Sequence, residues 1–159
     1  MFAETGLETI LIGNAAAALQ GAPVTTIDFD FLIRKTPRNT QKLKAVAKAL
    51  DAVVFRPVYP SSGMVRLSRD GDGLQLDFMT VIDGVSSFAV LRSQSHAEEF
   101  GEYALLVADL SAVAASKRAA GRPRDKAVLD ILEKAIHETA AFKPKAQSKA
   151  GPRGPQGRK

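Results

Sequence analysis

Cysteine is absent from this 159-residue chain, which excludes a disulfide framework and a thiolate zinc site. The lack also fits a reducing compartment. No apolar run approaches the roughly 20 residues that a membrane-spanning helix needs. The start, Met1-Phe2-Ala3-Glu4, has none of the basic character of a secretory signal. The sequence therefore reads as cytosolic, with no membrane partner. No segment repeats. The two histidines, His96 and His137, stand apart with neither metal nor triad spacing, and read as ordinary surface or helix residues. Asp70-Gly71-Asp72-Gly73 begins like a calcium loop, but its fifth and twelfth positions would be Leu74 and Val81, so it reads as a turn. Ser61-Ser62-Gly63 lacks the strand–Ser–helix context of a nucleophile elbow and reads as a loop.

What is present is the balance of an ordinary globular protein: 45% hydrophobic and 25% charged residues, at a length that suits one domain with a real core. The formal charge of +5 is unevenly placed. Residues 143–159 hold six Lys and Arg and no acid, so residues 1–142 are nearly neutral. The same stretch is rich in Pro, Gly, Gln and Ser and has no large apolar residue. It cannot bury enough surface to offset its ordering entropy and is expected to be disordered. Such a basic tail suits either a loose arm for RNA or another polyanion, or a merely solubilising terminus.

Residues 1–142 read as one domain of alternating strands and helices. A strand is expected over 8–12, ending at Gly13, then an Ala-rich helix over 14–20 with Asn14 as a cap and Gly21 and Pro23 as its stop. A strand over 27–34 has apolar residues on both faces, which suggests a central position. Thr36-Pro37 reads as an N-cap and first helical residue, opening a helix with the stripe Leu43, Val46, Ala47, Leu50. Strands follow over 53–58, 64–69 and 74–82, the last two joined by the Asp70–Gly73 hairpin sequence. A short helix is expected over 87–92, a strand over 103–107, a helix from a capping Asp109 to residue 120, and a last helix over 124–141. That helix should align Val128, Ile131, Leu132 and Ala135. The class is α/β, a mixed sheet with helices packed on it.

The informative stretch is 10–33, ILIGNAAAALQGAPVTTIDFDFLI. Asp28 and Asp30 lie two apart on one strand, so both carboxylates project to the same side, with Cα atoms roughly 7 Å apart. Two like charges on a buried strand repel and are costly to desolvate, and a hard cation such as Mg2+ relieves both penalties. Asp77 sits within the apolar run Leu74-Gln75-Leu76-Asp77-Phe78-Met79, on the face shared by Gln75 and Met79. If that strand lies beside 27–34, the three carboxylates meet. Two metals about 4 Å apart could then hold a nucleoside triphosphate and an attacking hydroxyl.

A strand ending in Gly13, a helix, Asp-x-Asp on the next strand and a later Asp on a neighbour together resemble the signature of the nucleotidyltransferase superfamily. Downstream, LLVADLSAVAASKRAAGRPRDKAVLDIL is similar to the tail of small bacterial nucleotidyltransferase-like proteins, including the abortive-infection toxin type. There Lys117, Arg122, Arg124 and Asp125 match a late-helix Lys followed by Arg and a basic-Asp pair. The resemblance covers roughly residues 8–135. It implies a DNA polymerase beta-like nucleotidyltransferase fold, with Asp28, Asp30 and Asp77 catalytic and binding Mg2+ or Mn2+; Asp77 would bind metal or serve as base. Gly13, Asn14, Thr26 and Lys117 would contact the NTP, although Asn14 stands where the family usually has Gly or Ser. Lys117 also lies on the stripe Leu110, Val113, Ala114, pointing coreward and requiring an anionic partner.

The resemblance thus implies transfer of a nucleoside monophosphate from an NTP to a hydroxyl of RNA, protein or a small molecule. A partner protein or a homodimer would complete so small a site, and a toxin–antitoxin setting fits. Two other readings stand beside it: a catalytically inactive module of the same fold that binds nucleotide or RNA, and an RNA adaptor acting through the basic tail. As bland readings, Asp28 and Asp30 would be solvated acids on an edge strand, Asp77 a salt-bridged structural acid, Lys117 a snorkelling surface residue, and Arg122, Arg124 and Asp125 a helix cap.

Overall fold

Two apolar segments, Thr9–Ile12 (β1) and Phe29–Ile33 (β2), pair antiparallel in the middle of a seven-stranded mixed sheet. The computed structural model describes residues 2–56 and 63–142. The expected disordered tail, Ser61, Ser62 and the last two residues of the expected 53–58 strand therefore lie outside the described residues.

The remaining strands are Val53–Phe55 (β3), Met64–Arg69 (β4), Leu74–Met79 (β5), Ser95–Phe100 (β6) and Tyr103–Ala108 (β7), in the sheet order β3-β4-β5-β2-β1-β7-β6. β2 runs parallel to β5 and β1 parallel to β7; the other neighbours are antiparallel. The β4–β5 hairpin turns at Asp70–Gly73 as the sequence indicates, and Arg69 and the Leu74 N–H both bond the Asp72 carboxylate there. β6 was not expected. Its sequence, SHAEEF, has too few apolar residues to show as a strand because it forms an outer edge of the sheet.

β2 is shorter than the expected 27–34 span. Its buried part begins at Phe31, while Ile27 is 90% exposed and Phe29 44%. Position in the sheet is central, but burial on both faces holds only for the C-terminal half. One face carries Phe31 and Phe78, whose rings stack at 5.3 Å and receive Phe2 edge-on. Phe2 belongs to Phe2–Thr5 (α1), which packs on Pro37–Ala49 (α3). Thr36 caps α3 by accepting the Asn39 N–H at 3.2 Å, worth about 1 kcal/mol. Leu43, Val46 and Ala47 are buried beneath it.

The other face is covered by Gly13–Leu19 (α2), Phe88–Ser93 (α4) and Leu110–Ala120 (α5), and α5 packs on Pro123–Phe142 (α6). The apolar stripe of α6 is rotated from expectation: Leu132 and Ala135 are buried, with Leu129 and Ile136 packed beside them, while Val128 and Ile131 are half-buried. Two expected caps are not made. α2 begins after Ile12 with no side-chain cap, and the Asp109 side chain does not cap α5. Among the described residues, no helix is long and apolar enough to cross a membrane.

Candidate metal centre

Register brings the acids together. Asp30 lies directly opposite Asp77 in the parallel β2–β5 pairing, and Asp28 continues the same face one step further. Asp28, Asp30 and Asp77 each offer a carboxylate oxygen, and all three oxygens lie within 4.8 Å of one another. Asp77 is not across the sheet from the pair: Phe31 and Phe78 take the opposite face, as strand alternation requires.

The three carboxylates differ in what surrounds them. Asp28 is served by neutral donors: the Thr26 hydroxyl lies 2.9 Å from Oδ1, and the Gln75 amide donates to Oδ2 at 3.3 Å. Asp77 is gripped by Arg66, whose Nε donates to Oδ1 at 2.7 Å and whose Nη2 donates to Oδ2 at 2.6 Å. Asp30 accepts no side-chain hydrogen bond from a described residue. Burial, then the charges of Asp28 and Asp77, push its carboxyl up to about 6, against a smaller opposing pull from Lys117 and Arg124. The Asp77 hydrogen bonds and the neighbouring carboxylates hold the Arg66 guanidinium above its ordinary range.

Gly13 is required where β1 runs into α2. Its φ is +69°, and a Cβ there would lie 2.5 Å from Asp30 Oδ2. The helix behind it has only seven residues, so its dipole is slight. Asn14 does not cap that helix. Its Nδ2 donates to the Thr25 carbonyl at 3.1 Å, tying down the loop that leads to Asp28, while its Oδ1 is buried with no hydrogen-bond partner among the described residues. Thr26 lines the cleft, but its hydroxyl is engaged with the Asp28 carbonyl and carboxylate.

A cleft of about 670 Å³ opens over this face. The triad, Arg66 and Gly13 line one wall, and Ser116, Lys117, Arg122 and Arg124 from the α5–α6 junction line the other. Met64, Met79, Val81 and Ile82 give it an apolar end. Lys117 does point inward, and its partner is Asp125: Nζ to Oδ1 is 3.5 Å, with side chains 14% and 9% exposed. Asp125 is thus more than a helix cap: its Oδ2 has no hydrogen bond from a described residue but lies 3.9 Å from Arg122 Nε. Arg122 pairs with Asp83 at 3.0 Å. Arg124 is exposed and forms no ion pair with a described residue, and its charge is felt at Asp30. Gln20 joins the two walls: Nε2 donates to the Ala16 and Ala108 carbonyls at 2.8 and 2.9 Å, and Oε1 accepts the Leu110 N–H at 2.9 Å.

The donor set fits a hard divalent cation. It consists of carboxylate oxygens alone, from two half-buried acids and one buried one, and it faces open volume in which further oxygen ligands can complete a coordination shell. The sequence reading places Gln75 on the Asp77 face without a partner and passes over Arg66. Counting outward from the Asp70–Gly73 turn sets Arg66 opposite Asp77, whereas the Gln75 bond to Asp28 depends on the pairing of β5 with β2. His96 is also not isolated: Nδ1 lies 2.7 Å from Asp109 Oδ1 and Nε2 2.9 Å from Glu98 Oε1. The chain matches no protein-family model and no curated protein.

Proposed function

We propose that this protein is a divalent-metal-dependent nucleotidyltransferase of the DNA polymerase beta-like fold, moving a nucleoside monophosphate from an NTP to a hydroxyl acceptor. The observation that carries the reading is the meeting of Asp28, Asp30 and Asp77 within 4.8 Å across a cleft from Lys117, Arg122 and Arg124. Three carboxylates sharing a cleft with Arg124 and with the paired cations Lys117 and Arg122 suit a polyanion whose phosphates are bridged to carboxylates by metal. Mg2+ or Mn2+ held there would neutralise phosphate charge and orient the reacting oxygens.

The chain's own groups do the rest. Asp28 and Asp30 hold the cation, with Thr26 and Gln75 fixing the Asp28 carboxylate. Gly13 leaves room for Asp30 and for close approach of a phosphate. Lys117, held by Asp125, and Arg124 set positive charge where phosphate charge grows during displacement. The apolar end at Met64, Met79 and Val81 offers a surface on which a base can lie. Asp77 serves better as a metal ligand than as a base, because Arg66 donates to both of its oxygens.

That same grip favours a second reading, a module of this fold that binds nucleotide without turnover. One experiment separates them: incubation with each α-labelled NTP, Mg2+, and total RNA and protein. A labelled product, reduced at least about 100-fold in Asp28→Asn with Asp30→Asn, is expected on the scale of losing a principal electrostatic contributor. Metal-dependent NTP binding with no product from any NTP would establish the binding module instead.

A further inference from the structure

We propose that Arg66 is a built-in counter-ion for Asp77 that competes with the divalent cation and so sets the metal affinity of the carboxylate cluster. This inference rests on the metal-centre reading above and adds a regulator to it.

Three observations support it. First, Arg66 stands opposite Asp77 in the β4–β5 register, and its two nitrogens meet the two carboxylate oxygens at 2.7 and 2.6 Å. A planar fork on a carboxylate is the strong form of this interaction. Second, the exposures are unequal: the Asp77 side chain is 4% exposed and that of Arg66 35%. Without a cation, Asp77 needs a counter-charge because a buried unpaired charge is costly. Arg66 supplies it, and its outer side has solvent into which it can withdraw. Third, the other two acids have no such partner. Asp28 is bonded by a hydroxyl and an amide, and Asp30 by no described side chain. Of the three carboxylates only Asp77 is bonded by a cation among the described residues, Lys117 and Arg124 acting on Asp30 through space, and Arg66 lines the same cleft as the acid it would share with a metal.

Two consequences follow physically. Arg66 keeps the fold intact when no metal is bound. It also repels an arriving cation and holds the Asp77 lone pairs that the cation would use. A conserved-charge change and a neutral change at this position should therefore part company.

The test is Mn2+ binding to the full chain, read as loss of the free-ion electron paramagnetic resonance signal. Arg66→Gln should bind Mn2+ at least ten-fold more tightly than the parent, and its metal-free melting temperature should fall and recover when Mn2+ is added. Arg66→Lys, which keeps the charge, should stay within about three-fold of the parent. A merely structural role would not tighten metal binding. Because Arg66→Gln alone leaves a buried charge, a second comparison uses the neutral pair. Asp77→Asn should weaken binding, and Asp77→Asn with Arg66→Gln should recover at least ten-fold over it. Arg66→Gln binding equal to or weaker than the parent, or no recovery in the double variant, overturns the proposal. Mn2+ binding by the parent that is lost in Asp28→Asn with Asp30→Asn keeps the metal-centre reading even then. If Arg66→Gln binds and the parent does not, the counter-ion stands and the parent chain is no metal enzyme at that concentration. If none binds, both readings fall.

Discussion

Two groups of acids on this one sheet have met the same problem in different ways. At the outer edge, Glu98 and Asp109 flank His96 at 2.9 and 2.7 Å, so each acid has a group that can become cationic between them. At the centre, one guanidinium bonds Asp77 alone, and Asp30 is left with its carboxyl raised to about 6. The edge group sits in solvent, with side chains 38–44% exposed, where charge is cheaply screened. The central group is partly desolvated, and Asp28 and Asp30 have no cation bonded to them among the described residues, Lys117 and Arg124 acting on Asp30 only through space. An acid cluster that bonds a protonatable group in solvent has little need of an external cation; one left without a bonded cation beside an open cleft is where such an ion gains most.

The sharpest way to break this contrast is to crowd the central acids. Gly13→Ala would set a Cβ 2.5 Å from Asp30 Oδ2 at φ +69°. We expect a loss of about 2–4 kcal/mol from left-handed strain and displaced side chain together, and weakened Mn2+ binding, read by chemical denaturation and ion titration. Gly71→Ala, where an added Cβ meets nothing within 4 Å, should cost under about 1 kcal/mol.

A smaller effect of opposite sign should come from removing the central deficit. Asp30 holds its proton more tightly in the folded chain than in the unfolded one, because its carboxyl is raised from 3.8 to about 6. Folded-state stability from this group is therefore lost as pH rises from about 4 to 6, and the full penalty applies above that. Metal-free Asp30→Asn should be more stable than the parent at pH 8 by about 2–3 kcal/mol and about equal at pH 4. Saturating Mn2+ should reverse the order at pH 8, since only the parent gains from binding. An Asp30→Asn variant less stable than the parent at pH 8 without metal would contradict the account.

The edge group should give the least. The Asp109 hydrogen bond, then that of Glu98, raises His96 above 6.5. Its stabilisation is complete below 6.5 and is lost as pH rises through the folded value. His96→Gln should therefore cost less than about 1 kcal/mol at pH 5.5, given the exposure of the partners, and nothing at pH 9. Thermal melts at the two pH values decide this.

Much of the central site could be read before any coordinates. The two-residue spacing of Asp28 and Asp30, and the placement of Asp77 within an apolar strand, carried enough geometry to bring three carboxylates to one face. The Thr36 cap and the Asp70–Gly73 turn were legible because their chemistry is local. What escaped depended on register between distant segments. Nothing local to Arg66 marks it; only its position counted from the turn sets it opposite Asp77. β6 was hidden because an edge strand with a polar face lacks the apolar run that marks a buried one. Asn14 and Asp109 were assigned as caps from position alone, and long-range partners, the Thr25 carbonyl and His96, took their side chains instead.

The Gln20 amide has one further effect. By bonding Ala16 on one side and Ala108 and Leu110 on the other, it rivets the helix beside the acids to the start of the helix that bears Lys117. Sliding of one helix past the other is thereby restrained where both leave the sheet.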